Sequence, residues 1–139
     1  MTALKPRRSV LYMPGSNARA LEKARTLPAD ALILDLEDAV APDAKDIARK
    51  QVVEAASAKV FGYREIAIRI NGLGTPWGKD DLKAVAASGA DAMLVPKVES
   101  ADEAAALSAA LDEAGAPASL KLWIMFETPR AVLNAATIG

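Results

Sequence analysis

The sequence of 139 residues contains no cysteine and no histidine. Without cysteine there is no disulfide bond, no thiolate nucleophile and no thiolate metal site. Without histidine the commonest general base and a common zinc ligand are both missing. Any catalysis must therefore rely on carboxylates, lysine, arginine, tyrosine, hydroxyls, backbone groups or a hard metal ion.

Long apolar runs and an excess of charge of one sign are also missing. No run approaches the roughly 18–20 apolar residues that cross a bilayer, and the run that follows the basic start is too short for a signal peptide. The net charge is −1, which argues against a basic nucleic-acid-binding face. We therefore expect a cytoplasmic protein with no membrane and no nucleic-acid partner.

Hydrophobic residues make up 52% of the chain and occur in short runs that alternate with longer amphipathic stretches. The runs predict strands at 10–13, 31–36, 66–70, 92–95 and 120–126, with helices at about 17–27, 43–59, 79–88, 101–114 and from 129. This alternation predicts a parallel sheet covered by helices, either a doubly wound open sheet or a (β/α)8 barrel. No G-x-G-x-x-G follows the first run, which weakens the dinucleotide-binding version of the open sheet.

Polar or unusual residues follow the end of every predicted strand, and in barrels and open α/β sheets this edge carries the active site. Arg69 lies inside an apolar run, and strand alternation puts it on the same face as Ala67 and Asn71. A buried arginine needs an anion. The sequence leaves two candidates open: a substrate carboxylate, or a structural partner such as Asp35 or Glu37 on the neighbouring strand.

Three acidic residues stand at the strand ends. A carboxylate at Glu127 suits Mg²⁺, which takes one or two carboxylates together with water and substrate oxygens; alternatively it stabilises the following helix N-terminus. Glu37 and Asp38 point to opposite faces, and Glu37 has the inner-face parity, where it would hold metal-bound water or pair with Arg69 or Lys97. Lys97 itself meets an anionic ligand or forms a loop salt bridge.

Two further features indicate anion binding. The glycine-rich loop at 71–75 either cradles a phosphate or carboxylate through backbone N–H groups or forms a tight turn. Near the first helix several basic residues gather positive charge: Arg7, Arg8, Arg19, Lys23 and Arg25. They suit a polyphosphate such as that of coenzyme A, with Arg19 and Lys23 as the predicted contacts; the alternative is a charged helix face.

Five motifs occur in order along the chain: RSVLYMPGSN at 8–17, LDLEDAV at 34–40, IRIN at 68–71, VPKVE at 95–99 and MFETP at 125–129. Together they resemble the citrate lyase β-subunit and malyl-CoA lyase family, within the HpcH/HpaI aldolase/citrate lyase superfamily. The resemblance covers essentially the whole chain, and five motifs in sequence are far more specific than any one of them.

The resemblance implies a TIM-type (β/α)8 barrel, with residues 1–139 as the N-terminal part of one domain that supplies about the first five β/α units, in homotrimers or homohexamers. It implies Mg²⁺-dependent cleavage of a 3-hydroxyacyl-CoA of the citryl-CoA or malyl-CoA type into an acyl-CoA and a 2-oxo acid. Arg69 then resembles the arginine that binds the 2-oxo acid, and Glu127 one of two acidic Mg²⁺ ligands. Glu37 and Asp38 resemble the acidic pair near the metal. Asn71 and Lys97 are further substrate-binding candidates.

The resemblance also leaves alternatives open. Family members are longer than this chain, so a second acidic ligand and the last strands would fall beyond Gly139. We therefore expect a fragment, or the ordered part, of a longer protein, inactive alone. A malyl-CoA thioesterase on the same scaffold, an aldolase for free 2-oxo acids, and a non-catalytic module that binds an acyl-CoA or a partner subunit are the competing functions. The sequence does not choose among citryl, malyl, methylmalyl and citramalyl esters.

Overall fold

Strands and helices alternate along the chain in a computed structural model that describes residues 4–139. The strands are β1 (Val10–Pro14), β2 (Ala31–Asp35), β3 (Glu65–Arg69), β4 (Ala92–Val95) and β5 (Lys121–Ile124). The helices are α1 (Ala18–Ala24), α2 (Lys45–Ser57), α3 (Gly78–Ala86), α4 (Ala101–Glu113), α5 (Pro129–Leu133) and α6 (Ala135–Ile138), and a 3₁₀ turn at Pro42–Ala44 leads into α2. Residues 1–3 of the predicted domain 1–139 lie outside the described residues.

The five strands form one parallel sheet in the order β1-β2-β3-β4-β5, so each strand pairs with the next one along the chain. A doubly wound sheet reverses its strand order at a switch point, whereas the strands of a barrel follow one another around the axis. The sequential order therefore selects the barrel architecture and confirms the predicted TIM-type fold. Because all five strands run the same way, their carboxyl ends share one edge.

Alternation along the strands separates two faces of the sheet. On the outer face Leu34, Ile68 and Met93 are fully buried within a large cluster that includes side chains from the helices. A smaller inner cluster contains Ile33, Ala67, Ala92 and Leu94, with Trp123 and Met125 packed against it. Asp35 and Arg69 have the parity of this inner face, so the fold directs both charged side chains to the barrel interior.

The two edge strands, β1 and β5, are the least buried strands of the sheet. Every residue of β2, β3 and β4 is buried, whereas Val10, Leu11 and Tyr12 of β1 are 38%, 38% and 45% exposed. Within residues 4–139, β1 and β5 each have a neighbouring strand on one side only. An uncovered strand edge exposes backbone N–H and C=O groups, so these two edges border the open side of the inner face.

Side-chain caps mark the starts of α1 and α4. The Asn17 side chain accepts a hydrogen bond of 3.0 Å from Ala20 N–H at the start of α1. Ser100 accepts one of 3.2 Å from Glu103 N–H at the start of α4. The Glu103 carboxylate accepts a hydrogen bond of 2.7 Å from the N–H of Glu99, so a capping box forms here one residue earlier than in the standard pattern.

Two predicted helices differ in extent. Helix α1 ends at Ala24 rather than near residue 27 because the N–H groups of Arg25 and Thr26 bond three residues back, and Pro28 has no N–H to continue the helix. The predicted last helix is divided at Asn134, whose side chain donates 2.8 Å to the carbonyl of Glu99. Every helix in residues 4–139 is too short or too polar to span a bilayer.

Candidate active site

Arg69 and Asp35 form the centre of the charged inner face. The strand register places them opposite each other on β3 and β2. The arginine Nε donates 2.6 Å to one carboxylate oxygen, and Nη2 donates 2.8 Å to the other. Of the two anions that the sequence left open for Arg69, the structure therefore supplies the structural one.

Asp35 also shapes the loop after β2. Its two oxygens accept hydrogen bonds of 3.0 Å each from the N–H groups of Glu37 and Ala39. Burial raises the pKa of the Asp35 carboxyl, but the hydrogen bonds from Arg69, Glu37 and Ala39 lower it by more, so its pKa lies below the ordinary value. Asp35 is therefore ionised at neutral pH and fixes the start of the segment that carries Glu37 and Asp38.

The rest of the Arg69 guanidinium faces other inner-face groups. Its central carbon lies 5.0 Å from the centroid of the Tyr12 ring, and Nη1 lies 3.9 Å from the sulfur of Met125. The hydrogen bonds to Asp35 raise the pKa of Arg69 in spite of its burial. Arg69 is thus a fixed positive charge, and Nη1 is the one guanidinium nitrogen that Asp35 does not bind.

Glu37 bridges two cationic side chains. Its Oε1 accepts a hydrogen bond of 2.5 Å from Lys97 Nζ, and its Oε2 lies 3.1 Å from Nη1 of Arg69. The second contact lacks hydrogen-bond geometry, so Oε2 is a buried oxygen without a hydrogen-bond donor in the described part of the chain. Asp38 is more exposed than Glu37: its side chain is 70% exposed, and its carboxylate lies 3.8 Å from Lys97 Nζ.

Lys97 connects this group to Glu127. The backbone N–H of Lys97 donates 2.8 Å to Oε1 of Glu127, and Lys97 itself has a φ of +55°. The hydrogen bond to Glu37 raises the pKa of the Lys97 ammonium, although burial opposes this effect. The structure therefore joins five of the predicted site residues in one network at the carboxyl edge of the sheet: Glu37, Asp38, Arg69, Lys97 and Glu127.

Asn71, predicted as a substrate contact, does not join this network. It is 3% exposed, and its amide nitrogen donates to the Leu36 carbonyl and to Asp81, at 2.9 and 2.7 Å. The prediction extended strand alternation to position 71, but β3 ends at Arg69, and the chain turns beyond that point. Asn71 supports the loop after β2 instead of facing the barrel interior.

Two buried charged residues at the site were missed by sequence reasoning. Lys45 donates to the carbonyls of Leu36 and Glu37, at 2.9 and 2.7 Å, and burial lowers the pKa of its ammonium although nearby carboxylates raise it. Asp81 is 1% exposed and accepts hydrogen bonds from Asn71 and from Arg49. A lysine and an aspartate near helix starts are typical of solvated positions, so only the assembled fold reveals their burial.

Arg19 and Lys23, the predicted contacts for coenzyme A, are exposed on α1. They stand four residues apart and therefore share one helix face, and neither has an ion-pair partner among residues 4–139. Arg25 is paired instead with Glu22, at 2.9 Å. The two free basic groups lie outside the Arg69 network, on the helix that follows β1.

The larger basic cluster predicted near α1 does not form. Arg7 binds Glu65 through hydrogen bonds of 2.6 and 2.9 Å, and Arg8 binds Asp30 at 2.8 and 3.0 Å. Glu65 and Asp30 stand at the amino ends of β3 and β2, the edge opposite the site. The prediction was wrong for Arg7 and Arg8, because it considered only their nearness to α1 in the sequence. Both arginines precede β1 and lie at its amino end, whereas α1 follows the carboxyl end of β1.

The glycine-rich loop at 71–75 forms a tight turn. Both the N–H and the hydroxyl of Thr75 bond to the carbonyl of Gly72, at 3.0 and 2.7 Å. Beside the turn opens a cavity of about 400 Å³, lined by residues that include Leu73, Pro96, Lys97 and Leu107. Its volume is within the usual range of small-molecule sites.

The described residues fit part of a Mg²⁺ site. Within residues 4–139 no three acidic side chains come close enough together to hold a metal ion, but Mg²⁺ needs only one or two carboxylates beside water and substrate oxygens. Glu127 is exposed, and Lys97 N–H holds one of its oxygens. Oxygen donors in a chain without cysteine or histidine favour a hard cation such as Mg²⁺.

The fold and the site together define a TIM-type barrel protein with a charged site at the carboxyl edge of its strands. The family model described as HpcH/HpaI aldolase/citrate lyase matches residues 8–139. The chain belongs to this family, which confirms the resemblance seen in the five motifs.

Named relatives fall into two functional groups. The chain is 49% identical over 134 residues to a (3S)-malyl-CoA thioesterase from Cereibacter sphaeroides (strain KD131 / KCTC 12085), a match that covers 96% of this chain and 45% of that protein. A citrate lyase beta subunit from M. tuberculosis complexed with oxaloacetate and magnesium superposes with a TM-score of 0.72 at 30% identity, covering 95% of this chain and 54% of that one. CitE from Mycobacterium tuberculosis in complex with magnesium, acetoacetate and coenzyme A superposes with a TM-score of 0.70 at 29% identity. This match covers 96% of this chain and 45% of that one. The chain thus spans about half the length of these relatives.

Proposed function

We propose that the protein is a Mg²⁺-dependent carbon–carbon lyase that cleaves a 3-hydroxyacyl-CoA of the citryl-CoA or malyl-CoA type into an acyl-CoA and a 2-oxo acid. The observation that supports this best is the fixed, charged Arg69 at the carboxyl edge of the sheet, with Glu37 3.1 Å away. An acidic substrate needs such a cation, and a C–C cleavage needs an acid–base group beside it. Membership of the family supports the reaction class.

In this reaction the 3-hydroxyl loses a proton, its carbon becomes the carbonyl of the 2-oxo acid, and the C2–C3 electron pair passes to the acyl-CoA. The resulting enolate of the acyl-CoA then takes up a proton. Arg69 Nη1 is the group placed to bind the substrate carboxylate and to stabilise negative charge as it develops. Glu37, whose Oε2 has no hydrogen-bond donor in the described residues, is the carboxylate placed to exchange the proton, with the exposed Asp38 next to it.

Mg²⁺, when bound, supplies Lewis-acid polarisation of the substrate oxygen, and Glu127 is the residue of this chain that would hold it. Arg19 and Lys23 would bind the phosphates of coenzyme A, because guanidinium and ammonium groups form strong charge-assisted hydrogen bonds to phosphate. Lys97 borders both Glu37 and the cavity next to Leu73. The proposal also includes a cytoplasmic location and a homotrimer or homohexamer as the working assembly.

The test is to identify the products that the full-length protein, purified from its source, forms with Mg²⁺ from malyl-CoA and from citryl-CoA. A lyase releases glyoxylate with acetyl-CoA, or oxaloacetate with acetyl-CoA, and chelation of Mg²⁺ stops the release. Arg69→Met should abolish the 2-oxo acid, whereas Lys50→Met, at an exposed position of α2, serves as the matched control. Absence of any 2-oxo acid product from either ester overturns the lyase proposal.

A malyl-CoA thioesterase is the second candidate, supported by the relative of that name at 49% identity. The same charged network would bind the malyl group, but the attacking group would be water and the bond broken would be the thioester. The products would then be malate and free coenzyme A, without a 2-oxo acid. The product analysis above therefore separates the two candidates in one experiment.

A further inference from the structure

Lys97 has a backbone conformation that is unusual for its residue type. Its φ is +55°, in the left-handed region that residues other than glycine enter at an energetic cost. Such conformations persist only where the surrounding structure enforces them, and they are frequent at functional sites. Lys97 lies in the short connection between β4 and α4, at the edge of the sheet that carries the charged network.

The same residue contacts two carboxylates that come from different strands. Its backbone N–H donates 2.8 Å to Glu127, which follows β5, and its ammonium donates to Glu37, which follows β2. The angle φ is the rotation about the N–Cα bond, so it sets the direction of the N–H relative to the side chain. At the usual negative φ the N–H and Cβ lie on nearly the same side, whereas at positive φ they swing apart.

We propose that Lys97 is a positioning residue that orients Glu127 through its N–H and Glu37 through its ammonium, and that its left-handed backbone makes both contacts possible at once. The inference rests on the proposed function in taking Glu127 as a metal ligand and in using turnover of the acyl-CoA to test the side chain. It departs from the sequence-based prediction that Lys97 binds substrate directly, because its backbone N–H and its ammonium each contact a carboxylate of the protein itself.

The role of the left-handed backbone at Lys97 is tested with two variants that both lack the ammonium. Lys97→Gly adopts positive φ freely, whereas Lys97→Val strongly disfavours it. Mn²⁺, as a paramagnetic substitute for Mg²⁺, is titrated into the full-length native protein and its variants, and binding is followed by electron paramagnetic resonance. We expect Mn²⁺ to bind about tenfold more weakly to the valine variant than to the glycine variant. Lys97→Ala should fall between them, and it replaces the valine variant if that one fails to fold.

The side-chain part is tested with Lys97→Met, which removes the ammonium but keeps the length of the side chain. A positioning role predicts a lower kcat with an unchanged KM for the acyl-CoA. A direct substrate contact would instead raise KM, and that result would overturn the inference.

The failure of this inference differs from the failure of the proposed function. Equal Mn²⁺ affinity in the glycine and valine variants, with a native protein that binds Mn²⁺, would overturn the backbone role of Lys97 alone. A native protein that binds no Mn²⁺ would overturn the proposed metal site, and the positioning role with it.

Discussion

Asp35 binds Arg69 through both of its carboxylate oxygens across the β2–β3 pair. The same two oxygens accept hydrogen bonds from the N–H groups of Glu37 and Ala39. One buried carboxylate therefore neutralises the arginine of the barrel interior and also shapes the loop that carries Glu37. Stability and site geometry depend on the same side chain, so changes at Asp35 should affect both.

Replacing Asp35 with asparagine should destabilise the protein by about 3–5 kcal/mol, because the buried Arg69 charge loses the carboxylate that binds two of its nitrogens and keeps only Glu37 nearby. Asp46→Asn is the matched control: Asp46 pairs with Arg49, but its side chain is 85% exposed, and the expected change is within about 0.5 kcal/mol. Urea unfolding followed by circular dichroism measures both. Similar free energies of unfolding for the two variants would contradict the role given to Asp35.

The ion pair between Asp35 and Arg69 also predicts how the stability of the protein depends on pH. The folded-state pKa of Asp35 lies below its unfolded value, so its contribution is complete above the unfolded pKa, at about 4, and is lost as the pH falls through the folded pKa. We expect the difference in unfolding free energy between the native protein and Asp35→Asn to shrink as the pH falls below about 4, with the value at pH 7 as reference. A difference that stays constant down to pH 2 would show that Asp35 does not titrate in this way.

The fold was predictable because its signals are local and repeated. Apolar runs that alternate with amphipathic stretches predict the order of strands and helices, and strand alternation correctly gives Glu37 and Arg69 the inner-face parity. Long-range partners were not predictable in the same way. The burial of Asp81 and Lys45, and the pairing of Arg7 and Arg8 at the opposite edge, depend on which strands become neighbours.

Gly15 is required by close packing at the start of the site. A Cβ at this position would lie 2.6 Å from the carbonyl oxygen of Asp35 and 2.7 Å from a methyl group of Val52, so Gly15→Ala must displace β2 or α2. We expect a loss of about 1–3 kcal/mol. Gly74→Ala is the control, since nothing lies within 4 Å of the added carbon. The Tm of both variants is measured by thermal unfolding. An unchanged Tm for Gly15→Ala would rule out the predicted clash.

Arg69→Lys should keep a positive charge but lose the two-pronged contact with Asp35, because an ammonium cannot bind both oxygens in the geometry of a guanidinium. If the proposed reaction is correct, kcat/KM should fall about 10²–10³-fold, as for the loss of a preorganised donor to developing negative charge. Arg25→Lys, an exposed position directly after α1 with Glu22 as its partner, should keep normal activity. Activity in Arg69→Lys within about twofold of normal would remove Arg69 from the site.

Glu127→Gln separates the charge of this side chain from its hydrogen bond. The glutamine oxygen can still accept the hydrogen bond from the N–H of Lys97, so the loop after β5 should keep its structure. Because the position is exposed, we expect little change in stability. Loss of the negative charge should weaken Mn²⁺ binding by at least about tenfold, since even outer-shell residues of metal sites typically matter by 10–100-fold. Glu113→Gln, exposed at the end of α4, is the control for a general change in charge. Equal Mn²⁺ affinity in the two variants would place the metal away from Glu127, whereas a loss confined to Glu127→Gln would tie the metal to the carboxylate that Lys97 orients.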